Sequence, residues 1–493
     1  MPDMAQNLLH WFSPSKIALD LPGFTAVLLL GLSVAFAVFK LWSNLWLFGS
    51  GRLEGAPGVK ASSKESVEGS DVDVDLNKGR EPGEWNPVKF NYPSVEPSPY
   101  RISEIKPIPY RPFRWGAYHV TMGIRSMPWS DWIELDKGHA KYHEIKAHRM
   151  KIRGRAAVRV MDDQEIVKGG SEAAVELVHE LAEYLSRRYP SDFSVTRHPS
   201  SSSNASPDQA FCDWGWDAQP PIKSITITAL KEKDASYDLP LSINDGEGAA
   251  ERAMQIAGLL IQDDLALMIE GLDGRYYFQA GSICLPGFWR MQDKIGLPLD
   301  DIHISGKVPQ YKEKLQTSLE RFFRRLPVDK PVIRNNYFIQ VNRRPEGGGG
   351  GAHERVVDTE ELGWAESTLG PEETYEHGSM RPPNGLTNSG GEGGAIAIER
   401  IRLRTERQTL RRLPRSGAVV FTIRTYLTPV TELGRERGVA GRMASALRSW
   451  PEDVGEYKGK QRGGWYEGLL EYLDLCHGSQ GAIGAEEEKG YPM

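Results

Sequence analysis

One histidine stands out by its surroundings. His303 lies between an aromatic-rich segment (LPGFWRM, 285–291) and a run in which Tyr311, Leu315, Leu319, Phe322 and Phe323 recur at helical spacing. This pattern places His303 in a loop at the base of an amphipathic helix, where its ring can face a ligand or serve as an ordinary half-buried residue. A second dense stretch, RLRTERQTLRRLPRSGAVVFTIRTY (402–426), carries Arg404, Glu406, Arg407 and Gln408 ahead of a turn at 414–417. A β-branched strand, 418–426, follows and bears Arg424 and Tyr426. Guanidinium and amide donors beside a strand suit an anionic or oxygen-bearing ligand. The plainer reading is that these basic residues are solvated in front of the strand.

Composition removes several classes. The net charge is −6, and no block of lysine or arginine is long enough to serve as a nucleic-acid arm, so nucleic acid is not an expected partner. The 3 cysteines, Cys212, Cys284 and Cys476, show no C-x-x-C spacing. That argues for a reducing compartment and against a disulfide framework, and it leaves too few thiolates for an iron–sulfur cluster carried by this chain alone. The Gly-x-Gly of DGEGAAERA (245–253) lacks the preceding strand and the later positions of a dinucleotide fingerprint.

Around the candidate residues the chain divides unevenly. After a flank at 1–21, residues 22–48 are predominantly apolar and uncharged except for Lys40, long enough for a transmembrane helix that needs roughly 20 residues. The competing reading is a cleaved signal peptide with its site at Ala35-Phe-Ala37. Lys40, Arg52 and Lys60 outnumber Lys16, which sets the main domain in the cytosol. Residues 49–88 are Gly, Ser, Glu and Asp in the main and read as a disordered tether. A domain at 89–478 follows, interrupted by a flexible Gly-rich insertion at 343–394, and the chain closes with a frayed tail at 479–493. Helices are expected at 171–188, 253–259, 432–450 and 466–476, and strands at 224–230, 265–269 and 276–278. His179, beside the apolar face of the first helix, reads as structural. Strand signals with peripheral helices give an α+β fold.

WRMQDKIGLPLDDIH and VPQYKEKL around His303, RTERQTLRRLP with Arg407 and Gln408, and VVFTIRTY resemble the heme-dependent oxidative N-demethylase family. So do PYRPFRWGAYHVTMGIRSMPWSDWIELDKGHAKY (109–142), LIQDDLALMIE (260–270), RNNYFIQV (334–341) and EYKGKQ (456–461), all in family order. The resemblance is to a fungal-type, membrane-anchored member. It implies a Per-ARNT-Sim-like curved antiparallel sheet that binds heme. It also implies oxidation of a small secondary amine by dioxygen, with NAD(P)H electrons delivered through a separate flavin/iron–sulfur reductase. On that reading His303 is the axial iron ligand, with Asp300 or Asp301 orienting its ring. Arg407 and Gln408 polarise oxygen, with Arg424 and Tyr426 further along. Glu406 or Asp263 faces the amine, and Lys307 and Arg334 meet the heme propionates. Cys284 and His198 are the alternative ligands. The chain departs from the family pattern in a loop two residues longer after His303 (His303-Ile-Ser-Gly-Lys-Val-Pro309) and in Tyr337 where tryptophan is expected. The same scaffold also suits a membrane-tethered heme sensor of gas or small ligands without turnover, or a heme-free interaction module.

Overall fold

The computed structural model describes residues 77, 79–199, 214–230, 235–342, 359–377, 396–460 and 464–480. In chain order its strands are β1 (Arg125–Ser126), β2 (Val158–Val160), β3 (Phe193–Arg197), β4 (Ile222–Ile227), β5 (Ser236–Asp238), β6 (Asp264–Glu270), β7 (Tyr276–Ser282), β8 (Val332–Val341), β9 (Ile401–Arg412) and β10 (Val419–Pro429). The helices that bear on the site are α1 (His139–Arg153), α2 (Gly170–Arg188), α3 (Ala249–Leu260), α4 (Leu299–Ser305), α5 (Gln316–Arg325), α6 (Val439–Arg448), α7 (Glu452–Tyr457) and α8 (Tyr466–Ser479).

The fold is α+β. Seven strands form one antiparallel sheet in the order β1-β8-β9-β10-β6-β7-β2, and β3, β4 and β5 form a small second sheet. Alternation along each strand separates two cores. Leu265, Leu267 and Val420 face one way, into a core shared with Leu177 and Leu181 of α2 and Ala257 of α3. Ala266, Met268, Leu410 and Val419 face the other way, toward Leu319 and Phe323 of α5. The expected pair of strands around Gly271–Gly274 is β6 with β7, and the expected first helix is α2. His179 is structural as expected: its Nε2 meets the Pro240 carbonyl at 2.9 Å and its ring stacks on Trp214.

Three features differ from expectation. The arginine-rich stretch before the turn is itself an interior strand of the sheet, β9, paired on both sides. The far end of the expected tether lies against the domain, because Trp85 donates to the Pro414 carbonyl at 3.1 Å and its ring stands between the Arg80 and Arg412 guanidiniums. Residues 359–377 of the expected flexible insertion are folded onto the domain. Arg149 pairs with the buried Glu372 at 2.7 Å, Gln340 holds the Glu361 carboxylate at 3.0 Å, and Gly287 bridges to Trp364. The strands flanking this insertion, β8 and β9, are neighbours, with Val341 opposite Ile401. The apolar run 22–48 lies outside the described residues. Among the described residues no helix is long and apolar enough to cross a membrane.

The contact between α3 and β7 gives a signed prediction. A helical Gly→Ala change ordinarily stabilises by about 0.5–1 kcal/mol. A Cβ at Gly258, however, would stand 2.1 Å from Ser282 Oγ and 2.8 Å from Met150 Cε. Gly258→Ala is therefore expected to destabilise, by about 1–3 kcal/mol in chemical denaturation; a raised midpoint would contradict the packing.

Candidate functional site

The ring of His303 is fixed by its own helix. It sits on α4, not in a loop, and Nδ1 lies 2.6 Å from the Leu299 carbonyl one turn earlier. A carbonyl only accepts, so Nδ1 carries the proton and Nε2 keeps its lone pair. Nε2 has no hydrogen-bond partner among the described residues, and the imidazole stacks on Tyr311 at 4.6 Å with the planes 8° apart. Burial lowers its pKa to about 4, reinforced by Lys294 and Arg334 and opposed by the Leu299 hydrogen bond. The ring is thus neutral at ordinary pH. Asp300 and Asp301, expected to orient it, instead pair with Arg275 at 2.7 and 2.9 Å. The backbone does that work.

His303 lines a cavity of about 380 Å³ between the sheet and the helices that cover it. Phe278, Trp289, Leu299, Val308, Leu319 and Phe421 make much of its wall apolar. After His303 a left-handed turn at Lys307, φ 52°, is followed by Val308 and Pro309 in the cavity lining. Lys307 points outward, exposed, so it does not reach the site expected of it. Tyr337 accepts from Trp450 Nε1 at 3.2 Å inside a neighbouring core.

The period of two along β9 divides the remaining candidates. Glu406, Gln408 and Leu410 line the cavity, as do Phe421 and Ile423 of β10. Arg407 and Arg424, opposite each other in the ladder, are absent from its lining and face the other way. Arg407 is fully buried against Glu134 at 3.0 Å, the Tyr110 hydroxyl at 3.1 Å and the carbonyls of Asp131 and Trp132. Arg424 pairs with Asp136 at 2.8 Å and lies over the rings of Tyr142 and Tyr426. Asp263 belongs to this second cluster too, where burial raises its pKa to about 6 against the pull of Arg424 and Arg407. Arg407, Arg424, Tyr426 and Asp263 therefore do not share the cavity with His303. The guanidinium that does is Arg334 of β8, directly across the ladder from Gln408.

Within the cavity Glu406 Oε2 accepts from Gln408 Nε2 at 2.8 Å and Asn336 Nδ2 at 3.3 Å. Glu406 Oε1 and Gln408 Oε1 are unpartnered among the described residues. Three cations face this one carboxylate: Lys294, Arg334 and Lys458. Burial lowers the pKa of Lys294 to about 8 and that of Lys458 to about 7. Sequence reasoning missed Lys294 and Lys458, although each lies inside a stretch that carries the resemblance. It also missed Leu369, Tyr375 and His377, which bring the folded part of the insertion into the wall. His377 Nε2 meets Ser305 Oγ of α4 at 3.0 Å.

Residues 123–467 match the model of the family described as haem-dependent oxidative N-demethylase, alpha subunit-like. The chain belongs to this family. Its cavity fits the group that gives the family its name. A macrocycle that fills four positions of iron needs one neutral imidazole from the protein, and His303 offers a bare Nε2 with its other nitrogen anchored. Lys294 and Arg334 form no salt bridge among the described residues, share the one Glu406 carboxylate between them and act on the same ring, so they can supply the two positive charges that two propionates require. Apolar walls suit the rest of the porphyrin. Cys284, the alternative ligand, is fully buried among Ile145, Met150 and Leu285, outside the cavity lining, and burial holds it as a thiol. His198 is outside the lining as well.

The division of β9 predicts unequal effects of neighbouring substitutions. Arg407→Met leaves Glu134 without its partner in a buried setting and is expected to cost about 3 kcal/mol of unfolding free energy or more. Gln408→Leu, changing a cavity-facing amide, is expected to cost less than half as much. Equal losses in urea denaturation would contradict the placement.

Proposed function

We propose that this chain is the heme-bearing, amine-oxidising component of an N-demethylase that draws electrons from a separate reductase. The overall change is R–NH–CH3 + O2 + NAD(P)H + H+ giving R–NH2 + HCHO + NAD(P)+ + H2O. Bound in the cavity, heme supplies the iron at which dioxygen is reduced. The observation that carries the reading is Glu406: a carboxylate with one open oxygen, in the same apolar cavity as the bare nitrogen of His303. A secondary ammonium has two N–H bonds, and Glu406 Oε1 and Gln408 Oε1 are two open acceptors on one strand face. Aromatic rings of Tyr118, Phe338 and Tyr457 add faces that favour a cation. Low polarity around these groups strengthens each contact and keeps water from the reacting carbon.

In this reading His303 would hold the iron through its bare nitrogen, Lys294 and Arg334 would hold the propionates, and Glu406 with Gln408 would bind and orient the amine. The seven-stranded antiparallel sheet would then be the Per-ARNT-Sim-like scaffold that the resemblance implies. A gas sensor on the same scaffold has no use for an open carboxylate beside the iron, which favours turnover over sensing.

The test is spectroscopic first. Reconstituted with hemin, the domain is expected to show a histidine-ligated Soret spectrum, lost in His303→Ala and restored by added imidazole. With a reductase and NADPH, an N-methylamine is expected to yield formaldehyde in step with NADPH consumed. An unchanged ligation spectrum in His303→Ala, or NADPH use indifferent to the amine, would overturn the proposal.

A further inference from the structure

One charged pair in the cavity is left over once the heme and the amine are provided for. Lys458, protonated below its lowered pKa of about 7, and Glu406 carry opposite charge in the same apolar space, yet they do not form a salt bridge with each other. The Asn336 carboxamide stands between them: its Oδ1 accepts from Lys458 Nζ at 3.5 Å, and its Nδ2 donates to Glu406 Oε2 at 3.3 Å. Lys458 also donates to the Tyr337 carbonyl at 2.7 Å and lies over the rings of Phe338 and Trp450. An ammonium has three N–H bonds, so one is still open.

A buried cation and a buried anion held apart by a fixed amide are expensive unless a third body neutralises both. The body that does so is a zwitterion, with its ammonium on Glu406 and an anionic end on Lys458. An amine of the dimethylamine kind satisfies only Glu406 and leaves the Lys458 charge as it was.

We propose that the amine taken by this site is zwitterionic, an N-methyl amino acid whose carboxylate is read by Lys458 across Asn336 from Glu406. This rests on the demethylase reading above and adds the substrate class. The apolar and aromatic extent of the cavity, with Val341, Ile396, Val454 and Trp465 in its lining, suits a hydrophobic side chain on that amino acid. Demethylation by the balanced reaction already given would release the parent amino acid and formaldehyde.

Two probes that differ only in the carboxylate test this: N-methyl-L-phenylalanine and N-methylphenethylamine, titrated calorimetrically into the heme-loaded protein. The amino acid is expected to bind at least tenfold more tightly. Lys458→Met is expected to remove that preference while the carboxylate-free amine still binds within about twofold of wild type; Lys458→Gln serves as a second variant, with heme content read from the Soret band for each. Glu406→Gln is expected to weaken both probes. Equal affinity of wild type for the two probes, or a Lys458 substitution that weakens both alike with heme retained, would overturn the proposal while leaving the demethylase reading standing. Failure of both probes to bind heme-loaded wild type would remove the demethylase reading and this inference with it.

Discussion

The site depends on arginines that a soluble protein would ordinarily keep wet. Arg404, Arg407, Arg411, Arg412 and Arg424 are all fully buried on two adjacent strands. Each is tolerated because acceptors meet it. Arg404 reaches the Leu362 carbonyl, Arg411 pairs with Glu180 between the faces of Trp129 and Trp132, and Arg412 holds the Leu326 carbonyl and the Tyr276 hydroxyl. Guanidinium groups bury more readily than ammonium groups because they are planar and weakly hydrated. These anchors fix the register of β9, and a slip by one residue would exchange Glu406 and Gln408 for Arg407. Arg407 and Arg411 anchor the face turned away from the cavity, and Arg404 and Arg412 anchor the face that Glu406 and Gln408 share.

That arrangement explains why part of the site was legible in the sequence and part was not. His303, Glu406 and Gln408 announced themselves by residue type, and all three line one cavity. The resemblance implies one role for Arg407 and Gln408, but neighbours in a strand point to opposite faces. The stretch 401–412 did not read as a strand, because its arginines broke the apolar alternation while serving as core residues. The guanidinium of the cavity, Arg334, lies 74 positions earlier than its ladder partner Gln408, a distance that only the sheet closes. The α+β class, α2 and the β6–β7 pair followed from periodicity, which survives wherever burial is by apolar side chains. Residues 359–377 defeated composition for a similar reason: Trp364, Glu372 and Tyr375 are few, but a buried ion pair and a shared bridge suffice to hold a short segment down.

The folded part of the insertion also shows how the cavity is finished. Helices α4 and α5 cover one side of the sheet face, and α7 and α8 reach the other end through Tyr457 and Trp465. Tyr375 lines the cavity as well, its hydroxyl donating to the Phe288 carbonyl at 3.2 Å and its ring against the Arg290 guanidinium. The polar groups of β8 and β9 inside hold one another, with Gln408 and Asn336 both donating to Glu406. A site of that kind favours one charge arrangement over others before any ligand arrives.

The most direct measurement of the central claim, that Glu406 would bind the amine in the same cavity where His303 would hold the heme, is an amine titration followed in the Soret band of heme-loaded wild type and Glu406→Gln. The account predicts a saturable shift in wild type that disappears, or needs at least tenfold more amine, in the variant at unchanged heme content. An identical shift at identical amine concentration in both would contradict it.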